Sequence, residues 1–121
     1  MQYITVSDDG TKIYRGLQLS ASTYKWDTIT AEQLVYWVHR VKQLQTPFLV
    51  IAKPRSGTEQ SEFVQTYWHS DNEYQFEWWN FDRPGRHREC TVASAERVIE
   101  MMQTWLDDDF SQLERENWIE E

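Results

Sequence analysis

The stretch from Ser61 to Phe81 constrains the fold more than any other part of the sequence, because eight of its 21 residues are aromatic. These rings alternate with polar residues on either side of residues 69–72, a run of turn formers. The pattern predicts a hairpin whose two strands run from Glu62 to Trp68 and from Glu73 to Phe81.

The two faces of the second predicted strand differ in chemistry. Successive side chains of a strand point to opposite faces, so the two faces carry different sets of side chains. The first face holds Tyr74, Phe76 and Trp78, and the second holds Gln75, Glu77, Trp79 and Phe81. A face that mixes carboxylate, amide and large rings suits recognition better than a sealed core. The sequence therefore indicates a binding protein.

The N-terminal part of the chain predicts a hairpin followed by a helix. Residues 2–7 and 12–19 flank an Asp-Gly pair at 9–10, which favours a tight turn between two strands. Residues 20–25 are polar and are predicted to form a loop. A capping box at 30–33 starts a first helix, which is expected to end before Pro47. Its buried stripe is predicted to be Leu34, Trp37, Val38, Val41 and Leu44.

Two further elements follow from apolar patterning. The run from Phe48 to Ala52 is apolar at every position, which predicts a central strand covered on both faces. Residues 91–92 are predicted to close a last strand, and Ser94 or Thr91 is predicted to cap a second helix. The buried stripe of that helix is predicted to be Ala95, Val98, Ile99, Met102, Trp105 and Leu106.

The length of 121 residues fits a single domain with a core of its own. We expect the α+β class, with an antiparallel sheet of about five strands and two main amphipathic helices packed mainly on one face. Within this domain, residues 1–20 form an N-terminal hairpin and residues 30–106 form a helix–strand–hairpin–helix core. Residues 107–121 form an acidic C-terminal segment that docks on the core.

The C-terminal segment concentrates the charge of the protein. It holds seven carboxylates and one arginine, and therefore −6 of the net charge of −8. Phe110, Leu113, Trp118 and Ile119 interleave with the acids, so we expect the segment to be held in place rather than disordered. The three aspartates at 107–109 lie at the negative end of the second helix, where acids are unfavourable. We therefore expect them to serve a partner and not stability.

Composition excludes several classes of function. The excess of 20 acidic over 12 basic residues argues against nucleic acid as a partner. The single cysteine, Cys90, permits no internal disulfide, and no secretory signal or apolar run of about 20 residues is present, so we expect a cytoplasmic protein with no membrane partner. The arginine-rich loop at 83–88 is interpreted as a solvated turn in preference to a phosphate site.

Catalytic and metal-binding patterns are not found in the sequence. The three histidines, His39, His69 and His87, fall in separate predicted elements. His87 and Cys90 offer two ligands where a structural zinc site needs four. Pairs of acids, such as Asp71 with Glu73, are more often solvated than bound to a cation. We therefore expect no enzyme activity, no cofactor, no metal and no small-molecule ligand.

The order of these elements resembles that of bacterial immunity proteins, the cytosolic antidotes encoded beside polymorphic or contact-dependent growth-inhibition toxins. The resemblance covers a capped helix, an apolar strand, two aromatic strands, a second helix and a final tryptophan, here Thr30 to Leu44, Phe48 to Ala52, Phe63 to Phe81, Ala95 to Leu106, and Trp118. It implies stoichiometric binding of a cognate nuclease- or deaminase-like toxin domain, with its active site covered. The N-terminal hairpin extends beyond that pattern.

Two acidic patches are candidates for the contact with such a toxin. The candidate partner-binding residues are Asp107, Asp108, Asp109, Glu114 and Glu116 in the C-terminal segment, and Trp68, Asp71, Glu73, Glu77 and Trp79 on the hairpin. An anionic inhibitor is drawn to a cationic groove by electrostatic steering. Three alternatives stay open: an acidic DNA mimic that inhibits host defence or restriction machinery, a small enzyme that holds an amine in an aromatic cage, and packing of Trp68 and Trp79 under the N-terminal hairpin or the C-terminal segment.

Overall fold

The computed structural model describes residues 3–53, 62–79 and 87–120. The first half of the chain contains β1 (Ile4–Val6), β2 (Lys12–Tyr14), β3 (Gln18–Ala21), β4 (Tyr24–Trp26), β5 (Ile29–Thr30), α1 (Ala31–Arg40), a 3₁₀ turn (Val41–Gln43) and β6 (Phe48–Ala52). The second half contains β7 (Phe63–Ser70), β8 (Glu73–Trp79), β9 (His87–Val92), α2 (Ala95–Leu106), a second 3₁₀ turn (Leu113–Arg115) and β10 (Ile119–Glu120).

The strands of the described residues form two antiparallel sheets, so the α+β class is confirmed. The larger sheet has seven strands in the order β10-β9-β8-β7-β6-β3-β4, and the smaller has three in the order β1-β2-β5. The predicted count of about five strands is too low. The predicted hairpins β1–β2 and β7–β8 are both present.

Two backbone conformations account for the additional strands. Gly16 has φ +71°, which only glycine adopts readily, and it ends β2 so that β3 joins the other sheet. Ser22 has φ +55° and turns the chain tightly, so β3 and β4 pair as a hairpin where a loop was predicted for residues 20–25. The apolar strand β6 is interior, between β3 and β7, but β7 and not β6 occupies the middle of the sheet.

The helices begin where their caps predict. The Gln33 amide N–H donates to the Thr30 hydroxyl at 3.2 Å, and the Thr30 N–H donates to the Gln33 side chain at 2.9 Å, which completes the capping box. The Arg97 N–H donates to the Ser94 hydroxyl at 3.2 Å and caps α2. On α2, Met101 is fully buried although it was left out of the predicted stripe, whereas Ile99 is only partly buried.

The hydrophobic core lies between the helices and one face of the seven-stranded sheet, called here the inner face. Residues paired directly across antiparallel strands share a face, so the register assigns every strand residue to one side. Leu49, Val64 and Phe76 on the inner face are fully buried against Val38 of α1 and Met102 of α2. Full burial of such a side chain stabilises the fold by about 1.5–3 kcal/mol.

The C-terminal segment folds against this core. Leu113 is fully buried, and the Phe110 and Trp118 rings contact the inner-face ring of Trp78 at centroid distances of 5.5 and 5.8 Å. The Trp118 indole N–H donates to the Leu113 carbonyl at 2.6 Å, and β10 then pairs with β9. The segment is therefore part of the packed structure from its first residue to β10.

Candidate functional site

A buried polar group joins the C-terminal segment to the inner face. We call it the inner cluster: Lys53, Glu62 and Asp108 with the rings of Trp78 and Trp105. The Lys53 ammonium donates to the Trp105 carbonyl at 2.5 Å and to the Asp108 carboxylate at 2.8 Å, and it lies 4.1 Å from the centroid of the Trp105 ring. Burial lowers the pKa of Lys53, and Asp108 works in the opposite direction.

Glu62 supplies the acceptor for the two indoles of the inner cluster. Its carboxylate accepts from the Trp105 N–H at 2.7 Å and from the Trp78 N–H at 3.2 Å, and the residue is 8 % exposed. Tyr3 and Phe110 add rings near the Lys53 ammonium, at 5.8 and 5.2 Å. An aromatic cage therefore exists, but it holds the protein's own ammonium group and not an external amine.

Most acids of the C-terminal segment are paired within the chain. Asp107 accepts from the Tyr14 hydroxyl at 2.6 Å and from Lys12 at 3.2 Å, and Asp108 pairs with Lys53. Glu116 accepts from Arg97 at 2.6 Å, and Glu114 lies 3.5 Å from Arg88. Asp109 is exposed and accepts the Ser111 N–H at 3.0 Å. Asp107 and Asp108 are therefore paired within the fold, whereas the sequence predicted that they serve a partner.

Two tyrosine hydroxyls near this end of α2 have raised pKa values. The Tyr3 hydroxyl donates to the Leu106 carbonyl at 2.5 Å, and burial, together with the nearby Asp108 carboxylate, raises the pKa of Tyr3. Burial and the bond to Asp107 likewise raise the pKa of Tyr14. Both hydroxyls therefore stay protonated, and can donate hydrogen bonds, at pH values above the ordinary pKa of tyrosine.

The hairpin residues predicted to form one acidic, aromatic patch are divided between the two faces. Trp68 pairs with Tyr74 on the inner face and is partly buried, and its indole N–H lies 3.3 Å from Asp71, which is 3.6 Å from Lys42. Glu73, Glu77 and Trp79 alternate along β8 with the inner-face rings and so lie on the opposite, outer face. The residues that could contact one partner together are therefore Glu73, Glu77 and Trp79.

The outer face of the seven-stranded sheet is partly open. Its side chains on β6, β7, β8 and β9 are partly or fully exposed, apart from Ala52, which is 8 % exposed. The members include Phe48, Val50, Tyr67, Gln75 and Thr91. Within the described ranges, the helices and the C-terminal rings pack on the inner face. Phe81, which was predicted on this face, and residues 83–86 of the arginine-rich loop lie outside the described residues.

Three adjacent strands bring titratable side chains together on the outer face. We call this group the outer cluster: Gln65, Glu77, His87 and Glu89. Glu77 and Glu89 are directly opposite in register, and the His87 Nε2 lies 3.4 Å from the Glu77 Oε1. The Gln65 amide donates to the other oxygen of Glu77, Oε2. One ligand atom from each of Glu77, His87 and Glu89 lies within 4.8 Å of the others, so these three could hold a metal ion.

Stacked rings fix one side of the outer cluster. The His87 imidazole stacks on Trp79 with centroids 4.1 Å apart and planes 5° from parallel, and Trp79 stacks in turn on Phe63 at 5.3 Å and 15°. His87 and Glu77 are both mainly covered, with 14 % and 18 % of their side chains exposed. The imidazole is therefore held in one orientation on a rigid sheet.

From the sequence, His87 was considered only with Cys90, as an insufficient ligand pair, and Glu89 was not considered. His87 and Cys90 are three residues apart on β9, so they point to opposite faces, and Cys90 is buried in the core. Burial raises the pKa of the Cys90 thiol to about 12. Residues two apart on a strand share a face, which would have grouped His87 with Glu89 if residues 87–88 had been assigned to a strand and not to the arginine-rich loop.

A second group of rings lies near α1, away from the outer cluster. Trp26 stacks on Trp37 at 4.5 Å, and Tyr24 and Tyr36 contact Trp37 at 5.5 and 5.6 Å. Arg40 lies over Tyr36 and Trp37 at 5.7 and 5.9 Å. These side chains are partly exposed, but no carboxylate in the described residues pairs with the group.

The protein was compared with protein-family models, with curated proteins and with solved structures, and none of the three comparisons gave a match. Among the described residues, neither helix is long and apolar enough to cross a membrane.

Proposed function

We propose that this protein is a non-catalytic inhibitor that binds a positively charged protein surface through the outer face of its large sheet. The observation that carries the proposal is the combination, on one partly open face, of stacked rings with the adjacent carboxylates of Glu77 and Glu89. Rings provide contact area at low entropic cost, and carboxylates select a basic partner.

The net charge of −8 supports the same partner class. An anionic protein approaches a cationic surface faster than diffusion of neutral partners allows, and the effect falls with ionic strength. The acids of the C-terminal segment contribute to this long-range field even though most are paired with the chain's own cations. Their pairing supports a role in steering and stability more than one in direct contact.

The resemblance to immunity proteins makes a toxin domain the proposed partner. A nuclease or nucleic-acid deaminase needs a cationic groove for its substrate. A protein that covers such a groove needs complementary charge and rings but no catalytic group. We therefore propose a cognate toxin domain, bound stoichiometrically with its substrate groove covered.

Binding to the toxin-domain product of the neighbouring gene tests the proposal, and two pairs of variants locate the contact. Tyr67→Ala removes a ring that is 39 % exposed on the outer face, and Tyr36→Ala removes one that is 53 % exposed on α1. Glu73→Lys and Glu32→Lys change the net charge equally, on the outer face and on α1 respectively. We expect the outer-face variants to raise Kd by about 10-fold or more and the α1 variants to stay within about 2-fold.

Salt dependence provides the second part of the test. Raising the ionic strength is expected to slow association, because steering is screened. Salt-independent binding, or equal losses from the outer-face and α1 variants, would contradict the proposed surface. Inhibition of several unrelated DNA-binding enzymes, in competition with DNA, would favour the DNA-mimic alternative instead.

A further inference from the structure

We propose that Glu77, His87 and Glu89 bind one divalent transition-metal ion, with zinc(II) as the ion that best fits these ligands. One imidazole and two carboxylates form a mixed nitrogen and oxygen set, which zinc accepts in three-ligand sites that leave a fourth position open. The harder ions Mg²⁺ and Ca²⁺ prefer oxygen ligands alone. The site uses the two carboxylates that the proposed inhibitory function also uses, but zinc binding does not depend on that function.

The separations between the candidate ligand atoms fit a zinc ion. Two ligands at about 2.0–2.1 Å from zinc in a tetrahedral arrangement are separated by about 3.3 Å. The Nε2 of His87 and the Oε1 of Glu77 are already 3.4 Å apart, and one ligand atom from each of His87, Glu77 and Glu89 lies within 4.8 Å of the others. A small rotation of the Glu89 side chain therefore completes a triangle of ligands.

The like charges of Glu77 and Glu89 favour a bound cation. Glu77 and Glu89 face each other directly on neighbouring strands, an arrangement in which like charges destabilise a sheet. Glu77 is largely covered, which reduces the screening of that repulsion by water. Within the described ranges, no lysine or arginine pairs with either carboxylate. A divalent cation would neutralise the pair.

Neighbouring side chains hold the candidate ligands Glu77 and His87 in position. Gln65 donates to the Oε2 of Glu77, which leaves the Oε1 directed at His87. The Trp79 ring holds the imidazole plane by stacking at 4.1 Å, and Phe63 supports Trp79 from the other side. Hydrogen-bonding partners of this kind typically change metal affinity by about 10- to 100-fold. The ligands also stand on strands and not on loops, which keeps their positions fixed.

Titration of the metal-free full chain with zinc chloride, followed by calorimetry, tests the site. We expect one equivalent per chain with a Kd in the micromolar range or below, and no displacement by excess Mg²⁺. Glu89→Gln and His87→Gln are expected to weaken zinc binding by about 100-fold or more, and Gln65→Ala by about 10-fold. Glu73→Gln and His39→Gln are the matched controls and are expected to leave Kd unchanged.

A second readout identifies the ligand atom and guards against unfolded variants. The chain has three histidines, so the imidazole nitrogen resonances can be followed individually by NMR. Zinc is expected to shift the Nε2 of His87 alone, and urea unfolding is expected to show that Glu89→Gln remains folded. More than one equivalent of zinc, no binding by the wild type, a shift at His39 or His69 instead, or equal weakening by the control variants would overturn the proposal. None of these outcomes bears on the binding of a basic protein.

Discussion

The inner cluster and the outer cluster place the same kinds of side chain on opposite sides of one sheet. In the inner cluster, the acids Glu62 and Asp108 each have donors within the chain, and an ammonium group is enclosed by rings. In the outer cluster, Glu77 accepts from Gln65 and lies beside His87, but it also faces the like charge of Glu89 directly. Acids that stabilise a fold are matched internally, whereas adjacent like charges on a rigid face indicate selection for something that binds there.

The largest effect on stability is expected from a substitution in the inner cluster. Glu62→Leu leaves the indole N–H groups of Trp78 and Trp105 buried without their acceptor. Because each unsatisfied buried donor costs about 1–3 kcal/mol, we expect the free energy of unfolding to fall by about 3 kcal/mol or more. Urea unfolding measures this change. Glu62→Gln, which keeps one acceptor oxygen, is expected to lose less, and a Glu62→Leu protein as stable as the wild type would refute the role of the cluster.

A smaller loss is expected from the acid at the end of α2. Asp108 has φ +59°, a conformation that asparagine tolerates well, so Asp108→Asn removes the charge without straining the backbone. The buried Lys53 ammonium loses its ionic partner, and we expect a loss of about 1–2 kcal/mol because Asp108 itself is largely exposed. Asp109→Asn, at an exposed neighbour, is the control and is expected to be neutral. Equal effects of the two substitutions would contradict the assignment.

Alkaline pH tests the burial of the Tyr3 and Tyr14 hydroxyls without a substitution. The folded pKa values of Tyr3 and Tyr14 are raised above the unfolded value of 10.0, so the stability they contribute is complete below that pH and is lost as the pH rises further. Lys53, with its pKa lowered by burial, opposes this trend as the pH approaches its ordinary value of 10.5. We expect the tyrosinate absorbance per chain near pH 11 to be lower in the native protein than in urea. Equal absorbance in the two states would contradict the burial of these hydroxyls.

The smallest effect is expected in the outer cluster, where a substitution should raise the free energy of unfolding. Glu89→Gln removes the like-charge pair on the outer face, so the metal-free protein is expected to gain about 0.2–1 kcal/mol in its free energy of unfolding. The same urea experiment measures it, with Glu73→Gln as the control. A loss of stability would show that Glu89 is matched within the fold, as the inner acids are.

Local signals explain which parts of the fold were predictable. The capping box, the spacing of Leu34 and Val38, and the alternation along residues 63–79 each lie within one element and its turn. The hairpin of β3 and β4 depends on Ser22 in a left-handed conformation, which its residue type does not announce. The number of strands was therefore underestimated on the N-terminal side.

The sites were less predictable because they join residues that are distant in sequence. Alternation placed Glu77 and Trp79 on one face, but Glu89 joins them only through the register of β9 on β8. Tyr14 and Lys53 reach the C-terminal acids across separations of 93 and 55 residues. Pairing of this kind is a property of the tertiary structure, and a count of charges along the chain gave the opposite interpretation of Asp107 and Asp108.

The last turn of α2 carries a consequence for how the molecule assembles. Its Trp105 carbonyl accepts from the Asp108 N–H at 3.0 Å and from the Lys53 ammonium, and its Leu106 carbonyl accepts from the Tyr3 hydroxyl; Lys53 and Tyr3 lie 52 and 103 residues away. Side chains next to β6 and β1 therefore reinforce this turn, which couples its order to that of both strands. Amide hydrogens in the last turn of α2 should accordingly exchange with solvent only when the whole protein unfolds, although the ends of most helices fray independently.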